Sequence, residues 1–316
     1  MRFLITTPVL NGAKYLDEAI LSVVSQAGDF EIHYHVRDGG STDGSIGMLE
    51  RWQTRLARDF PILCRGIEFT FSSQPDHGVY DAVNHGFTAG GEGDVMSWIN
   101  VDDRFEVGAF STAAQIFDRF RDVDWLCGHA TTIDQSGAMI CYPPIIPFPQ
   151  TALAAGLCDG RFGPRVVQQE GSFWRSSLWA KVGGLDASFR LAGDFDLWRR
   201  FAAHADLVTV DAVLGFHRRW ASQLTENMSG YYHEIDAHLT PAEKEKRARV
   251  ARKYFLSGIA KARRLAGFTY RVLHRPRSDW ICETFPKRRS LLGTASYASN
   301  CAVLASSRIR YLARHS

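Results

Sequence analysis

Val95-Met96-Ser97-Trp98-Ile99-Asn100-Val101-Asp102-Asp103-Arg104 sets an apolar run directly before two adjacent carboxylates. The run reads as a buried strand, and a parallel strand delivers its last side chains to the crevice at the carboxyl edge of an open α/β sheet, where such folds bind ligands. Hard oxygen donors at that edge suit a divalent cation. Neighbouring side chains on a strand point to opposite faces, so Asp102 and Asp103 are expected to divide the work, one toward ligand and one toward metal. The same pair also fits a helix cap before Phe105-Glu106-Val107.

Working outward, Arg2–Thr7 reads as a first strand ending at Pro8, and Tyr15–Val24 as an amphipathic helix. Phe30–Val36 reads as a second strand running into the polar loop Arg37-Asp38-Gly39-Gly40-Ser41-Thr42-Asp43-Gly44-Ser45, and Phe69–Ser73 as a third. Strand, glycine-rich loop, helix is the order of a nucleotide site. Glycines let backbone approach a ligand, and Asp38 at the strand edge can accept from an imide N–H or a ribose hydroxyl. The segment Gln74–Gly86 carries more polar groups than a structural role needs.

The 316 residues give one large or two unequal domains. No run has the roughly 18 apolar residues of a membrane span, and Met1–Ile5 leads into Thr-Thr-Pro rather than a signal segment, so a cytoplasmic protein is expected. The 6 cysteines form no Cys-x-x-Cys pair, which argues against a zinc site or a disulfide framework. The net charge of +3 hides an asymmetry: residues 242–316 hold 18 basic and 4 acidic side chains, residues 1–241 hold 19 and 30. That shift puts a compositional boundary near Thr240-Pro241.

Five motifs in order, Thr7-Pro8-Val9-Leu10-Asn11, Asp38–Gly44, Asp76-x-Gly-Val-Tyr80-Asp81-Ala-Val-Asn84-x-Gly86, Asn100-x-Asp102-Asp103 and Gly193-Asp194-Phe195-Asp196-Leu197-Trp198, resemble those of inverting family 2 glycosyltransferases of the GT-A fold, of the bacterial cell-surface polysaccharide type. The resemblance covers residues 3 to about 228. It implies an α/β, Rossmann-like mixed sheet flanked by helices as a catalytic domain, 1–228, with a basic helical C-terminal region, 229–316. By the same resemblance Asp38 reads the nucleobase, Pro8 and its neighbours line the base pocket, Asp102 contacts the ribose and Asp103 holds Mg²⁺ or Mn²⁺. Thr7, Asn11, Asp76, Asp81 and Asn84 join the nucleotide-sugar site. A nucleotide-diphosphate sugar, UDP-linked by family habit, is the implied donor, and a saccharide or lipid-linked glycan the acceptor. A nucleotidyltransferase would need a phosphate loop that Pro8–Lys14 does not supply, and a non-catalytic sugar-nucleotide binder or membrane scaffold would not need all of these groups together.

Inversion requires a base opposite the leaving group. Asp194, at the start of a helix that Leu197, Trp198 and Phe201 would bury, is the candidate, although a helix N-terminus makes a carboxylate a weaker base. Glu170 and Trp174 are read as acceptor-binding, each with a structural alternative. By the same resemblance His217, about two dozen residues after Asp194 on an expected edge strand, is read as a metal ligand or a simply hydrogen-bonded histidine, with Arg218 or Arg219 as a grip on diphosphate. Glu243–Leu265 reads as a helix whose Val250, Tyr254 or Phe255, Leu256 and Ile259 face either an anionic membrane surface, peripherally, or the catalytic domain. No nucleic-acid module accompanies the charge.

Overall fold

A computed structural model describes residues 1–256, 270–274, 279 and 281–285, except 147, 163–165, 221–222 and 224–225. Chain order runs β1 (Arg2–Val9), α1 (Ala13–Val24), β2 (Glu31–Asp38), α2 (Ser45–Arg58), β3 (Gly66–Ser73), α3 (Val79–Ala89), β4 (Val95–Trp98), β5 (Arg104–Phe105), α4 (Ala109–Arg119), β6 (Trp125–Cys127), β7 (Thr131–Ile133) and β8 (Met139–Cys141). It continues with α5 (Gln150–Ala154), β9 (Ser172–Arg175), α6 (Ser176–Val182), α7 (Gly193–Ala202), β10 (Leu207–Val210), β11 (Gly215–Arg218), α8 (Met228–His238), α9 (Pro241–Leu256), β12 (Tyr270–His274) and β13 (Ile281–Phe285).

The main sheet has the order β13-β12-β10-β6-β9-β4-β1-β2-β3. β3, β2, β1 and β4 are mutually parallel, and β9 runs antiparallel between β4 and β6. Central parallel strands are covered on both faces, which is why β1 and β4 are nearly continuous apolar runs. Alternation along β1 sorts its side chains: Phe3, Ile5 and Val9 join a core with α1, α2 and α4, whereas Leu4 joins Met96 and Trp98 under α3 and α7. In α1 the buried set Leu16, Ala19, Ile20, Val23 and Val24 follows the helical repeat.

A smaller sheet, β5-β11-β7-β8, stands at the carboxyl edge of the large one. β11 is internal there, paired with β5 and β7, and so is not the edge strand its sequence suggests. The region after residue 228, expected as helical, contributes α8 and α9 and also the strands β12 and β13, the first of which pairs in parallel with β10. Within α9, Val250 and Ala251 pack against the α5 segment at Ala152, Ala155 and Leu157, and Arg247 is buried against Asp159. An apolar face of α9 turned to a membrane is therefore corrected for Val250. Ile259 lies outside the described residues.

Candidate active site

β1, β2 and β4 end along one edge, and the turns that leave them build the site. Asp38, the last residue of β2, is buried; its Oδ2 accepts from Gly40 N (3.0 Å), Ser41 N (3.0 Å) and Ser73 Oγ (2.6 Å), while Oδ1 is buried with no partner. Burial alone would raise this carboxyl, but these hydrogen bonds outweigh it and hold it below its ordinary range. Asn11, at φ 53°, accepts from Thr42 N at 2.9 Å and its own N–H donates to Ser41 Oγ at 2.7 Å, so the loops after β1 and β2 are stitched together. A Cβ on Gly39 would stand 2.6 Å from Asp76 Oδ2, which brings the turn before α3 against the same loop.

Beyond β4 the chain turns at Asn100–Asp103, with Asp103 N donating to Asn100 O at 3.1 Å. The two carboxylates part company there. Asp102 Oδ2 accepts from Trp220 Nε1 (2.8 Å) and Gln223 Nε2 (3.0 Å). Asp103 turns inward to His217 on β11, whose Nδ1 lies 3.5 Å from Asp103 Oδ1 and 3.8 Å from Glu170 Oε1. One potential ligand atom from each of Asp103, Glu170 and His217 falls within 4.8 Å of the others. Asn100 Nδ2 is within reach of Asp103 Oδ2 (3.2 Å) and Glu170 Oε1 (3.5 Å), and Arg218 N donates to Asp103 Oδ1 at 2.7 Å.

Electrostatics mark the cluster. Burial and the neighbouring Glu170 charge raise Asp103 well above the carboxylate range. Burial would depress His217, yet its hydrogen bonds and charges from Asp103 and Glu170 prevail and push it up to about 11. Two buried acids with one imidazole, all facing one point, are the donor set of a hard or borderline divalent cation.

Asp194 is the second residue of α7. Its Oδ1 accepts from the buried Tyr80 hydroxyl at 3.3 Å, and burial, with the charge of Glu170 adding to it, raises its carboxyl to about 6 against the hydrogen bonds of Phe195 N and Tyr80. The Tyr80 ring lies flat against the start of α7, where a Cβ on Gly193 would come within 2.6 Å of it.

The sequence model of glycosyl transferase family 2 matches residues 4–137. An uncharacterized glycosyltransferase of Mycobacterium tuberculosis is 29% identical over 211 residues, 66% of this chain and 72% of the relative. Another, of Rickettsia prowazekii, is 24% identical over 234 residues, 73% and 68% of the two chains. Among solved structures, S. aureus TarS in complex with UDP-GlcNAc superposes with a TM-score of 0.55 at 16% identity, over 81% of this chain and 73% of that one. The mannosyltransferase PcManGT from Pyrobaculum calidifontis, in complex with GDP-Man and Mn²⁺, gives 0.53 at 14%, over 84% and 72%. Residues 4–137 match a family 2 glycosyltransferase domain, and the fold is that of the GT-A glycosyltransferases.

The glycosyltransferase brings Asp103 and His217 together as the sequence reading expects and adds Glu170, which that reading gave to the acceptor. Three expected ligand residues are corrected. Trp174 is wholly buried between Trp98, Trp179 and Trp198 and offers no face to an acceptor. Arg218 is also buried, its guanidinium spent on Glu18, on Asp102 O and over the Tyr15 ring rather than free for diphosphate. Asn84 gives both ends of its amide to the backbone of Leu185 and ties α3 to the segment before α7. Thr7 exchanges a buried hydrogen bond with Tyr34 at 2.8 Å, Pro8 is buried in β1, and Asp81 holds His77 N and His85. Tyr80, Asn100, Trp220 and Gln223 were not singled out by the sequence reading as site residues.

Proposed function

We propose that this glycosyltransferase moves a glycosyl unit from a nucleoside-diphosphate sugar, with inversion, to a saccharide or lipid-linked acceptor in the synthesis of a polysaccharide or glycoconjugate. The observation that carries the reading is the pairing of the Asp103–Glu170–His217 cluster with a third carboxylate, Asp194, near enough to feel the charge of Glu170 and raised to about 6.

Asp103, Glu170 and His217 would hold Mn²⁺ or Mg²⁺. The chemistry that such an ion supplies when bound is Lewis-acid neutralisation of the charge on a departing diphosphate. At the other end of the site, Asp38 offers its unpartnered Oδ1 to an imide N–H, an acceptor that suits uracil, thymine or guanine alike. Asp102 keeps one oxygen clear of Trp220 and Gln223 for a ribose hydroxyl. Asp194 takes the proton from the attacking acceptor hydroxyl; a carboxyl near 6 is ionised at neutral pH yet basic enough to bind that proton in the transition state. The exposed Lys244, Lys246, Arg249 and Arg252 of α9 draw the enzyme to an anionic membrane surface on the cytoplasmic side, where a lipid-linked acceptor would lie.

The test is release of nucleoside diphosphate from a panel of nucleotide sugars, with and without Mn²⁺, followed by NMR assignment of the product anomer. Metal-dependent release from one donor, lost in Asp103→Ala and Asp194→Ala, with an inverted product, is the expected result. A retained anomeric configuration would remove Asp194 from the role of base.

A further inference from the structure

We infer that Glu234 of α8 is a positioning residue for Asp194, so that the segment after residue 228 completes the catalytic machinery; this rests on the reading of Asp194 as the base. Its Oε1 accepts from Arg190 N at 2.7 Å, and its Oε2 from Leu191 N at 2.8 Å and Ala192 N at 2.7 Å. Those three residues are the run into α7, which begins at Gly193, and Ala192, the residue at its cap position, has no side chain with which to cap it. A helix start needs acceptors for its free N–H groups and favours a negative charge beside them. Here one carboxylate from a distant helix accepts from the cap residue Ala192 and the two residues before it and sets its charge beside the helix start, through charge-assisted bonds that are stronger than neutral ones.

Glu234 is itself fixed, because the next residue, Ile235, and Leu239 are buried in the core under α7. The clamped segment is also tied from the opposite side. Arg190 Nη1 donates to His77 O in the turn before α3, and Tyr80 in the first turn of α3 donates to Asp194 Oδ1. Asp194 is thus held between α3, which carries the donor-side motif, and α8. Glu234 holds Asp194 in place through the backbone of residues 190–192.

The full chain carrying Glu234→Gln or Glu234→Asp tests this, each variant alone and with Asp194→Asn. Gln offers an amide nitrogen where one acceptor oxygen stood, and Asp withdraws the carboxylate by a methylene. With both, kcat is expected to fall about 10- to 100-fold, the cost of a misplaced reacting group. KM for the donor and calorimetric affinity for nucleoside diphosphate with Mn²⁺ should stay within about two-fold, because neither passes through Asp194. In the Asp194→Asn background Glu234→Gln should remove nothing further from the residual rate. An equal loss in both backgrounds, a change in KM alone, or failure of both variants to fold would overturn the inference. A slow Asp194→Asn with fully active Glu234 variants would overturn it and leave the base standing, whereas a fully active Asp194→Asn would remove the base itself.

Discussion

Asp194 sits where two forces on one carboxyl oppose each other: burial disfavours its charge, while Phe195 N and the Tyr80 hydroxyl stabilise it. Burial wins, and the folded value of about 6 lies above the 3.8 of a free aspartate. Activity should therefore rise with pH through about 6 as Asp194 loses its proton. Stability runs the other way, since a carboxyl raised by folding contributes its full share below the unfolded value and loses it as pH climbs past the folded one; the ionised group then costs about 3 kcal/mol. Asp194→Asn should be inactive yet more resistant to urea at pH 8 and unchanged at pH 4, and an equal urea midpoint shift at both would refute this account. At the metal cluster, Asn100→Ala removes the amide shared by Asp103 and Glu170 and should weaken Mn²⁺ binding about 10- to 100-fold. Because His217 is protonated up to about 11 in the metal-free cluster, Mn²⁺ must displace a proton, so affinity should increase with pH and the calorimetric enthalpy should vary with the buffer's own ionisation heat. Asp103 and Asp194 stand out in the sequence because each lies in a short motif, one in the turn after β4 and one at the start of α7. The place of Glu170 beside His217 is invisible in sequence because it exists only once the loop before β9 meets β11, and the burial of Trp174 and Arg218 is invisible because a tryptophan or arginine looks the same in sequence whether it faces a ligand or a core.

At the scale of elements, the approach of α3 to α7 is set by a glycine. Gly193 and Gly47 are both helical, and in a helix alanine is favoured over glycine by about 1 kcal/mol. A Cβ at Gly47 meets nothing closer than the end of Arg51 at 3.6 Å, so Gly47→Ala should raise the melting temperature slightly. At Gly193 the same atom would stand 2.6–2.8 Å from the buried Tyr80 ring, and Gly193→Ala should instead destabilise by about 1–3 kcal/mol and slow turnover by displacing Tyr80 from Asp194. Equal melting temperatures for the two variants would show that α3 yields without cost. The alternation of β1, α1, β2, α2 and β3 was readable because buried parallel strands are apolar and α1 repeats its apolar residues at helical spacing. α3 went unread because Asp81, Asn84 and His85 make it look like a loop, while its buried side, Tyr80, Val83 and Phe87, is visible only against β1 and β2. β11 reads as an edge because a polar loop follows it, whereas its pairing with the two-residue β5 exists only in the folded chain.

Over the whole molecule the charge asymmetry has a structural answer for only part of its length. Of the basic side chains in the described part of α9, Arg247 is consumed internally by Asp159 and Asp236, whereas Lys244, Lys246, Arg249 and Arg252 are exposed. Among the described residues no helix is long and apolar enough to cross a membrane, and Val250 and Ala251 are packed against the α5 segment. Attraction of residues 241–252 to a bilayer would then come from charge and not from inserted apolar area, which fixes how they should respond to salt. Each basic residue near an anionic surface contributes about 1 kcal/mol, and that contribution is screened within a Debye length of about 10 Å at 0.1 M salt. Reversing Lys244, Lys246, Arg249 and Arg252 together to Glu should abolish co-sedimentation with phosphatidylserine vesicles at low salt while leaving nucleotide-sugar turnover in solution intact. The unaltered chain should release from the same vesicles as salt is raised and should ignore vesicles of phosphatidylcholine alone. Binding that survives both high salt and the four reversals would locate the membrane contact elsewhere in the chain and leave α9 with the single task of bracing α5 and, through the Glu243–Arg199 ion pair, α7.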